Sequence, residues 1–121
     1  MIDAAELLAA LDGAKTTVEP RPWGYEFVID AEDFLLKFIH VDAGSRTSLH
    51  YHDQKDEIKF IVNADENHGS ITDANDERFP GVTVRNLPGV AHRATGPLDM
   101  IEVTSQHDDE TRIADDYGRA S

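Results

Sequence analysis

Cysteine is absent from the 121 residues, and so is any long apolar run. The first absence excludes disulfides and thiolate ligands, so a bound metal ion would have to rely on histidine, carboxylate or water. The second excludes a membrane span, which needs about 20 apolar residues. The N-terminus lacks the basic and apolar pattern of a secretory signal. We therefore expect a one-domain cytoplasmic protein with no membrane partner.

Basic residues are also scarce, with 11 lysines and arginines against 24 acidic residues and a net charge of −13. This balance argues against a nucleic-acid partner, which prefers a basic face. A solvated acidic surface is the simple interpretation, and adaptation to high salt is the alternative. A phosphorylated ligand would be repelled at long range, so it would need the few basic residues gathered at its site.

A short helix is predicted at residues 3–12. Asp3 can cap it, and Glu6 completes a capping box three residues later. Gly13 is a typical C-terminal stop. An apolar stripe that includes Leu8 predicts that the helix packs on the outside of the main body.

Short strands are predicted from residue 25 onward. A hairpin is expected at 25–30 and 34–41, because both runs are rich in aromatic and aliphatic residues. Further strands are predicted at 47–52, 57–63, 69–72, 82–85, 91–94, 100–104 and 111–114. Many short, closely spaced strands indicate an antiparallel sandwich or barrel.

The domain organisation follows from this pattern. The sequence has no internal repeat or linker, so we divide it into an N-terminal helix with its lead-in, residues 1–18, and a β domain, residues 19–121. Residues 108–110 are interpreted as a solvated loop.

His50 and His52 stand two apart in a predicted strand, so both side chains point to the same face. Tyr51 points the other way. Glu57 follows a polar turn that can bring it alongside the two histidines. Taken alone, the pair is as consistent with a chance arrangement on a solvated face as with a chelate.

The spacing of these residues resembles the first motif of the cupin superfamily, which is a glycine, five residues, His-any-His, three or four residues, and Glu. Gly44 precedes His50-Tyr51-His52 by five residues, and Glu57 follows after four. The second motif is a glycine, five residues, Pro-any-Gly-any-any-His, three residues, and Asn.

The second motif is matched at its ligand position and departs in its loop. Gly81, Gly89 and His92 are in place, while Leu87 replaces the proline and Gly96 replaces the asparagine. Two such motifs together are a specific signal. The resemblance implies an all-β, single-domain jelly-roll cupin barrel with a short N-terminal helix.

The resemblance also implies one divalent metal ion held by His50, His52, Glu57 and His92. Three histidines and one carboxylate leave a coordination position for substrate or water. We expect zinc first, with manganese, iron, cobalt or nickel as alternatives, because this ligand set suits all of them.

A narrower resemblance, over residues 19–119, is to the mannose-6-phosphate isomerase domain of the bifunctional type II enzymes. The matching blocks are Arg-Pro-Trp-Gly at 21–24, Ser-Leu-His-Tyr-His at 48–52, Gly-Val-Ala-His-Arg at 89–93, Ile-Glu-Val at 101–103, and the tail at 112–119. His50 stands where that family usually has Gln, and Gln54 where it often has a further histidine. The nucleotidyltransferase half is absent.

This resemblance implies aldose–ketose isomerisation of a sugar phosphate. Glu102 is the candidate base, or else a structural carboxylate paired with an arginine. Lys59 shares a strand face with Glu57 and is the second catalytic candidate, or else its ion-pair partner. Arg93 and Arg112 belong to the matching blocks and are candidate substrate-binding residues. Lys37 is a third candidate, because it lies inside the otherwise apolar run 34–41, where a charge is costly to bury unless it is paired; it is either a pocket residue or an edge-strand charge. Arg112 and Arg119 can equally pair with acids of the tail.

Two other functions stay open because one fold can host many. The first is a non-catalytic cupin that binds a small molecule or sugar, and the second is an Fe(II) oxygenase. A homodimer is expected from the habit of cupins.

Overall fold

The computed structural model describes residues 3–32, 34–62, 69–73, 83–105 and 110–119. In chain order the elements are α1 Ala4–Asp12, β1 Lys15–Arg21, β2 Gly24–Asp30, β3 Leu35–Val41, β4 Leu49–His52, β5 Glu57–Ile61, β6 Ser70–Asp73, β7 Thr83–Asn86, β8 His92–Thr95, β9 Leu98–Thr104 and β10 Glu110–Ala114. This confirms the predicted all-β fold with one short helix. No helix among the described residues is long and apolar enough to cross a bilayer.

The strands form two antiparallel sheets. The larger sheet has six strands in the order β1-β2-β3-β9-β5-β7, and the smaller has four in the order β10-β4-β8-β6. The predicted hairpin of β2 and β3 is present, with Phe27 opposite Phe38. Neighbours in each sheet are mostly distant in sequence, as when β9 lies between β3 and β5.

Helix α1 confirms the predicted cap, because the Asp3 carboxylate accepts a hydrogen bond from the Glu6 N–H at 2.9 Å. The expected packing of its apolar stripe is not seen at Leu8, which is 68% exposed. Strand β1 then differs from the expected lead-in and runs across the proposed boundary at residue 18. It is an edge strand, exposed on both sides, so it shows no hydrophobic alternation and tolerates Pro20.

The apolar core lies between the two sheets. It consists of Trp23, Ile39, Val41, Ile61, Ile71, Val84, Ala94, Leu98 and Met100. Burying such side chains stabilises the fold by about 25 cal/mol per Å² of apolar surface. These residues occupy only part of the space between the sheets, and the rest is lined by polar and charged side chains.

Alternation along the large sheet sorts its side chains into two unlike faces. On the face towards the small sheet, Lys59 and Glu102 are each 4% exposed. Their chain neighbours on the opposite face, Phe60 and Ile101, are 42% and 37% exposed. The inner face therefore carries buried charged side chains beside the apolar core, while the outer face presents apolar side chains to solvent.

Candidate metal centre

The four predicted ligands come from both sheets. His50 and His52 lie on β4, and His92 begins β8 directly opposite His50. Glu57 begins β5 in the large sheet. Because His50 and His52 are two residues apart on one strand, they share the inward face. The site is thus formed where the end of the large sheet faces the small one.

The three imidazoles form a compact triad. One ring nitrogen from each of His50, His52 and His92 lies within 4.8 Å of the other two. Nitrogens bound to one ion at about 2.1 Å can be at most about 4.2 Å apart. Small side-chain rotations would therefore bring all three into a coordination sphere.

Glu57 completes the cluster and also forms an ion pair with a lysine. Its Oε1 lies 3.1 Å from His52 Nε2, and its Oε2 lies 3.2 Å from His92 Nε2. Lys59 Nζ lies 2.5 Å from Oε2. Burial raises the pKa of Glu57, but the charge of Lys59 and the contacts with the two histidines outweigh burial and hold that pKa well below its usual range. The carboxylate is therefore ionised, as a metal ligand must be.

The histidine tautomers also fit a cation. His92 Nδ1 lies 3.0 Å from the Val90 carbonyl oxygen, which can only accept, so Nδ1 carries the proton. Nε2 of His92 points into the cluster, 3.2 Å from Glu57 Oε2, and is the ring atom left to bind an ion. His50 Nδ1 likewise donates to the Ser48 carbonyl at 3.0 Å. Burial, with His92 and His52 adding to it, lowers the pKa of His50 to about 2, so this ring is neutral. Neutral imidazoles with inward lone pairs are what a divalent ion requires.

The cluster opens into a cavity of about 290 Å³. Its lining is unusually rich in charge. The charged side chains that line it are Arg21, Glu26, Lys37, Lys55, Glu57, Lys59, Glu102, Glu110, Arg112 and Arg119. Both predicted catalytic residues, Lys59 and Glu102, are among them, and so are Lys37 and Arg112.

Lys37, Glu102 and Lys59 form a charged row across three adjacent strands. Glu102 lies opposite Lys37 on one side and opposite Lys59 on the other. Lys59 Nζ is 3.6 Å from Glu102 Oε2, and Lys37 Nζ is 3.7 Å from Glu26 Oε2. Burial lowers the pKa of Lys37, but the charges of Glu26, Glu102 and Glu57 together raise it above its usual value. Every charge in the row thus faces an opposite one.

Arg93 is not brought to the cavity. It follows His92 on β8, so its side chain points to the other face of the sheet. Its guanidinium donates to the Thr47 carbonyl at 3.3 Å and to the Ala114 carbonyl at 3.5 Å. These contacts tie β8 to neighbouring segments, and we do not retain Arg93 as a substrate contact.

The tail arginines divide between two roles. Arg119 pairs with Asp115 at 2.8 Å, as the structural alternative predicts, although its side chain also lines the cavity. Arg112 Nη2 lies 3.1 Å from Glu110 Oε2. Asp116 is bound by Arg46.

Glu26, Lys55 and Glu110 are cavity residues that sequence reasoning missed. Glu26 points inward and lies between two aromatic residues of β2. A charged residue inside an apolar run is the same signal from which Lys37 was selected. Glu110 was interpreted as loop, but it begins β10 and places Oε1 3.5 Å from His50 Nε2. Residues 108 and 109, and Gly81 of the second motif, lie outside the described residues.

Comparison with known proteins identifies the fold. No family model and no curated protein matches the chain. A protein from Planctomyces limnophilus is 23% identical, with a TM-score of 0.61 over 91% of this chain and 93% of its own. CapF of Staphylococcus aureus, a capsular polysaccharide assembling protein, is 16% identical, with a TM-score of 0.61 over 83% of this chain and 34% of CapF. Rru_A2000 from Rhodospirillum rubrum, described as a cupin-2 domain, is 13% identical, with a TM-score of 0.62 over 83% of this chain and 75% of its own.

This chain has the cupin fold. At these identities the likeness establishes the fold and no more. The histidine triad is a possible metal site within that cupin fold.

Proposed function

We propose that this cupin is a metal-dependent sugar-phosphate isomerase of the mannose-6-phosphate isomerase type. The observation that carries the proposal is the distribution of charge. Among the described residues, six basic side chains line the cavity against four acidic ones, although the chain as a whole has 11 basic and 24 acidic residues. A protein of net charge −13 thus concentrates its positive charge where a phosphorylated ligand would need it. The histidine triad and Glu57 lie in the same cavity.

In the proposed reaction Glu102 moves a proton between adjacent carbons of the substrate. A bound divalent ion would supply polarisation of the substrate oxygen and stabilise the negative charge that develops there. Glu102 is buried in the cavity wall, where a carboxylate can meet a carbon-bound proton. Lys59, 3.6 Å from Glu102, can donate to the same substrate oxygen or to the phosphate.

The phosphate end of the substrate would lie among the remaining basic side chains. Arg112 and Arg119 can offer paired N–H donors, which match the geometry of a phosphate. Lys37 adds a positive charge beside Glu102. CapF is named for polysaccharide assembly, which is compatible with a carbohydrate ligand on this fold.

The test is an isomerase assay on mannose 6-phosphate and fructose 6-phosphate with wild type, Glu102→Gln and Glu110→Gln. Glu110 is the matched control because it also lines the cavity. Loss of the base should lower turnover about 10²–10⁴-fold in Glu102→Gln, with metal content unchanged. Glu110→Gln should retain turnover within about tenfold. A fully active Glu102→Gln variant would remove Glu102 from the mechanism.

A second candidate is a non-catalytic cupin that binds an anionic sugar. It is favoured by the charged row, because Glu102 lies between Lys37 and Lys59 and is held in an ion pair 3.6 Å from Lys59 Nζ, as expected of a structural carboxylate. Wild type that is inactive on all sugar phosphates, yet binds one by calorimetry, would establish this function. Metal analysis of protein purified without added metal separates zinc from iron, and iron would favour the oxygenase alternative.

A further inference from the structure

Asn86 holds the Lys59 ammonium against the predicted metal ligand Glu57. It lies on β7, directly opposite Glu57 on β5, and is only 2% exposed. Lys59 Nζ donates to Asn86 Oδ1 at 2.5 Å and to Glu57 Oε2 at 2.5 Å. Because an amide oxygen is uncharged, Asn86 fixes the position of the ammonium without neutralising it. The full charge of Lys59 is therefore directed at the carboxylates beside it.

We propose that Lys59, positioned by Asn86, determines metal specificity and widens the preference of the site for zinc over manganese. This requires that the histidine triad and Glu57 bind an ion, and it does not depend on the proposed isomerase reaction. Imidazole nitrogen suits zinc, whereas carboxylate oxygen suits manganese. Glu57 is the one carboxylate of the predicted ligand set. An ammonium that neutralises it therefore weakens the ligand on which manganese depends most.

A second lysine acts in the same direction. Lys55 Nζ lies 3.7 Å from Glu57 Oε1, and its side chain is 6% exposed. Each carboxylate oxygen of Glu57 thus has an ammonium group near it. Both lysines are largely shielded from water, so their attraction for the carboxylate is stronger than at a surface. The ligands that remain at full strength are the three imidazole nitrogens, which zinc prefers.

The competing explanation is that the lysines only stabilise a buried carboxylate in the folded protein. Both explanations predict that loss of Lys59 lowers the free energy of unfolding. They differ for the metal, because a lysine without influence on specificity would change the affinities for zinc and manganese by the same factor, or change neither. Zinc binds more tightly than manganese to most sites of this kind. The measure is therefore the ratio of the two dissociation constants in each variant, compared with wild type.

The test titrates the metal-free full chain with zinc chloride and with manganese chloride, at one pH, by calorimetry. In Lys59→Met the preference for zinc should narrow by about tenfold, mainly because manganese binds more tightly once Glu57 has its full charge. Lys37→Met is the matched control, since Lys37 lies in the same charged row but pairs with Glu26 at 3.7 Å. The preference of this control should stay within about threefold of wild type.

Asn86→Asp tests the same network with a side chain of nearly the same shape. Its carboxylate should draw Lys59 away from Glu57 and narrow the preference by about threefold. Circular dichroism verifies the fold of each variant, and Asn86→Asp decides the question if Lys59→Met is unfolded.

An unchanged preference in the folded variants, or an equal gain in affinity for both ions, would overturn the proposal. Wild type that binds neither ion would overturn it as well. Wild type that is inactive on sugar phosphates, with variants that show these shifts, would support this inference and overturn only the isomerase.

Discussion

The inner and outer faces of the six-stranded sheet are built on the same strands, and only the inner face combines buried charged side chains with the apolar core. On β9, Glu102 points inward and is buried, while its neighbour Ile101 points outward and is exposed. On β5, Lys59 and Phe60 repeat the arrangement. The comparison teaches that alternation alone identifies the two faces of a strand, but not which face is the core. In this protein the inner face holds the core and the charged cavity lining, and apolar side chains such as Phe60 and Ile101 lie on the exposed outer face.

The two faces also differ in how they tolerate change. A buried charge needs its partner, whereas an apolar side chain in water is stable without one. We therefore expect substitutions on the inner face to destabilise the protein more than substitutions on the outer face.

The largest expected effect is at Lys59. Lys59→Met leaves Glu57 and Glu102 without their shared partner, and loss of one member of a buried ion pair costs about 3–5 kcal/mol. The free energy of unfolding, measured with urea, should fall by that amount. Lys15→Met is the control, because Lys15 is exposed and such changes usually stay within about 0.5 kcal/mol. Similar losses in both variants would contradict the importance of the buried ion pairs.

Metal binding is expected to add an intermediate amount of stability. At a free ion concentration one hundred times the dissociation constant, a ligand of the folded state adds about 2.7 kcal/mol. His52→Ala should lose the ion by elemental analysis and lose this gain, yet keep its strand signal in circular dichroism, because the core does not include the histidines. An unfolded His52→Ala protein would show instead that the ion is structural.

The smallest effect is expected at His40, on the rim of the outer face. A hydrogen bond to Asp99 at 2.6 Å, with help from Asp42, raises the pKa of His40 above 6.5. The folded state therefore binds the proton more tightly. The added stability is full below pH 6.5 and is lost as pH rises through the folded pKa. An NMR titration of the ring should show a midpoint above 6.5, and Asp99→Asn should return it towards 6.5. A wild-type midpoint at or below 6.5 would refute this assignment.

Much of the fold was predictable because its signals are local. The capping box of Asp3 and Glu6, the hairpin of β2 and β3 and the positions of the short strands all follow from sequence patterns. Strand β1 was missed, since an edge strand exposed on both sides has no alternation to detect. The order of strands in each sheet could not be predicted from the sequence, because it depends on contacts between distant segments.

The part of the site that could be predicted is the part whose ligands have a characteristic spacing in the sequence. The triad of His50, His52 and His92 assembles as the two motifs imply. Glu110 was missed because its role depends on β10 pairing with β4, which no local pattern shows. The metal identity, the sugar and the cytoplasmic location stay predictions.

Gly96 shows how a departure from a motif can have a structural reason. A Cβ at this position would lie 2.0 Å from the Asp42 carbonyl oxygen. An asparagine, which the second cupin motif has there, cannot be accommodated without moving the backbone. The local backbone path therefore explains the residue that the motif comparison left unmatched.

The alternating charges of Lys37, Glu102 and Lys59 have a consequence for the evolution of this protein. A neutral residue at position 59 would leave excess negative charge beside Glu102, so it should persist only after position 102 or 57 has also changed. In an alignment of homologues these positions should covary as a group. Their summed charge should be conserved even where the individual residues differ. Positions on the outer face should instead drift within the apolar class, each independent of its neighbours.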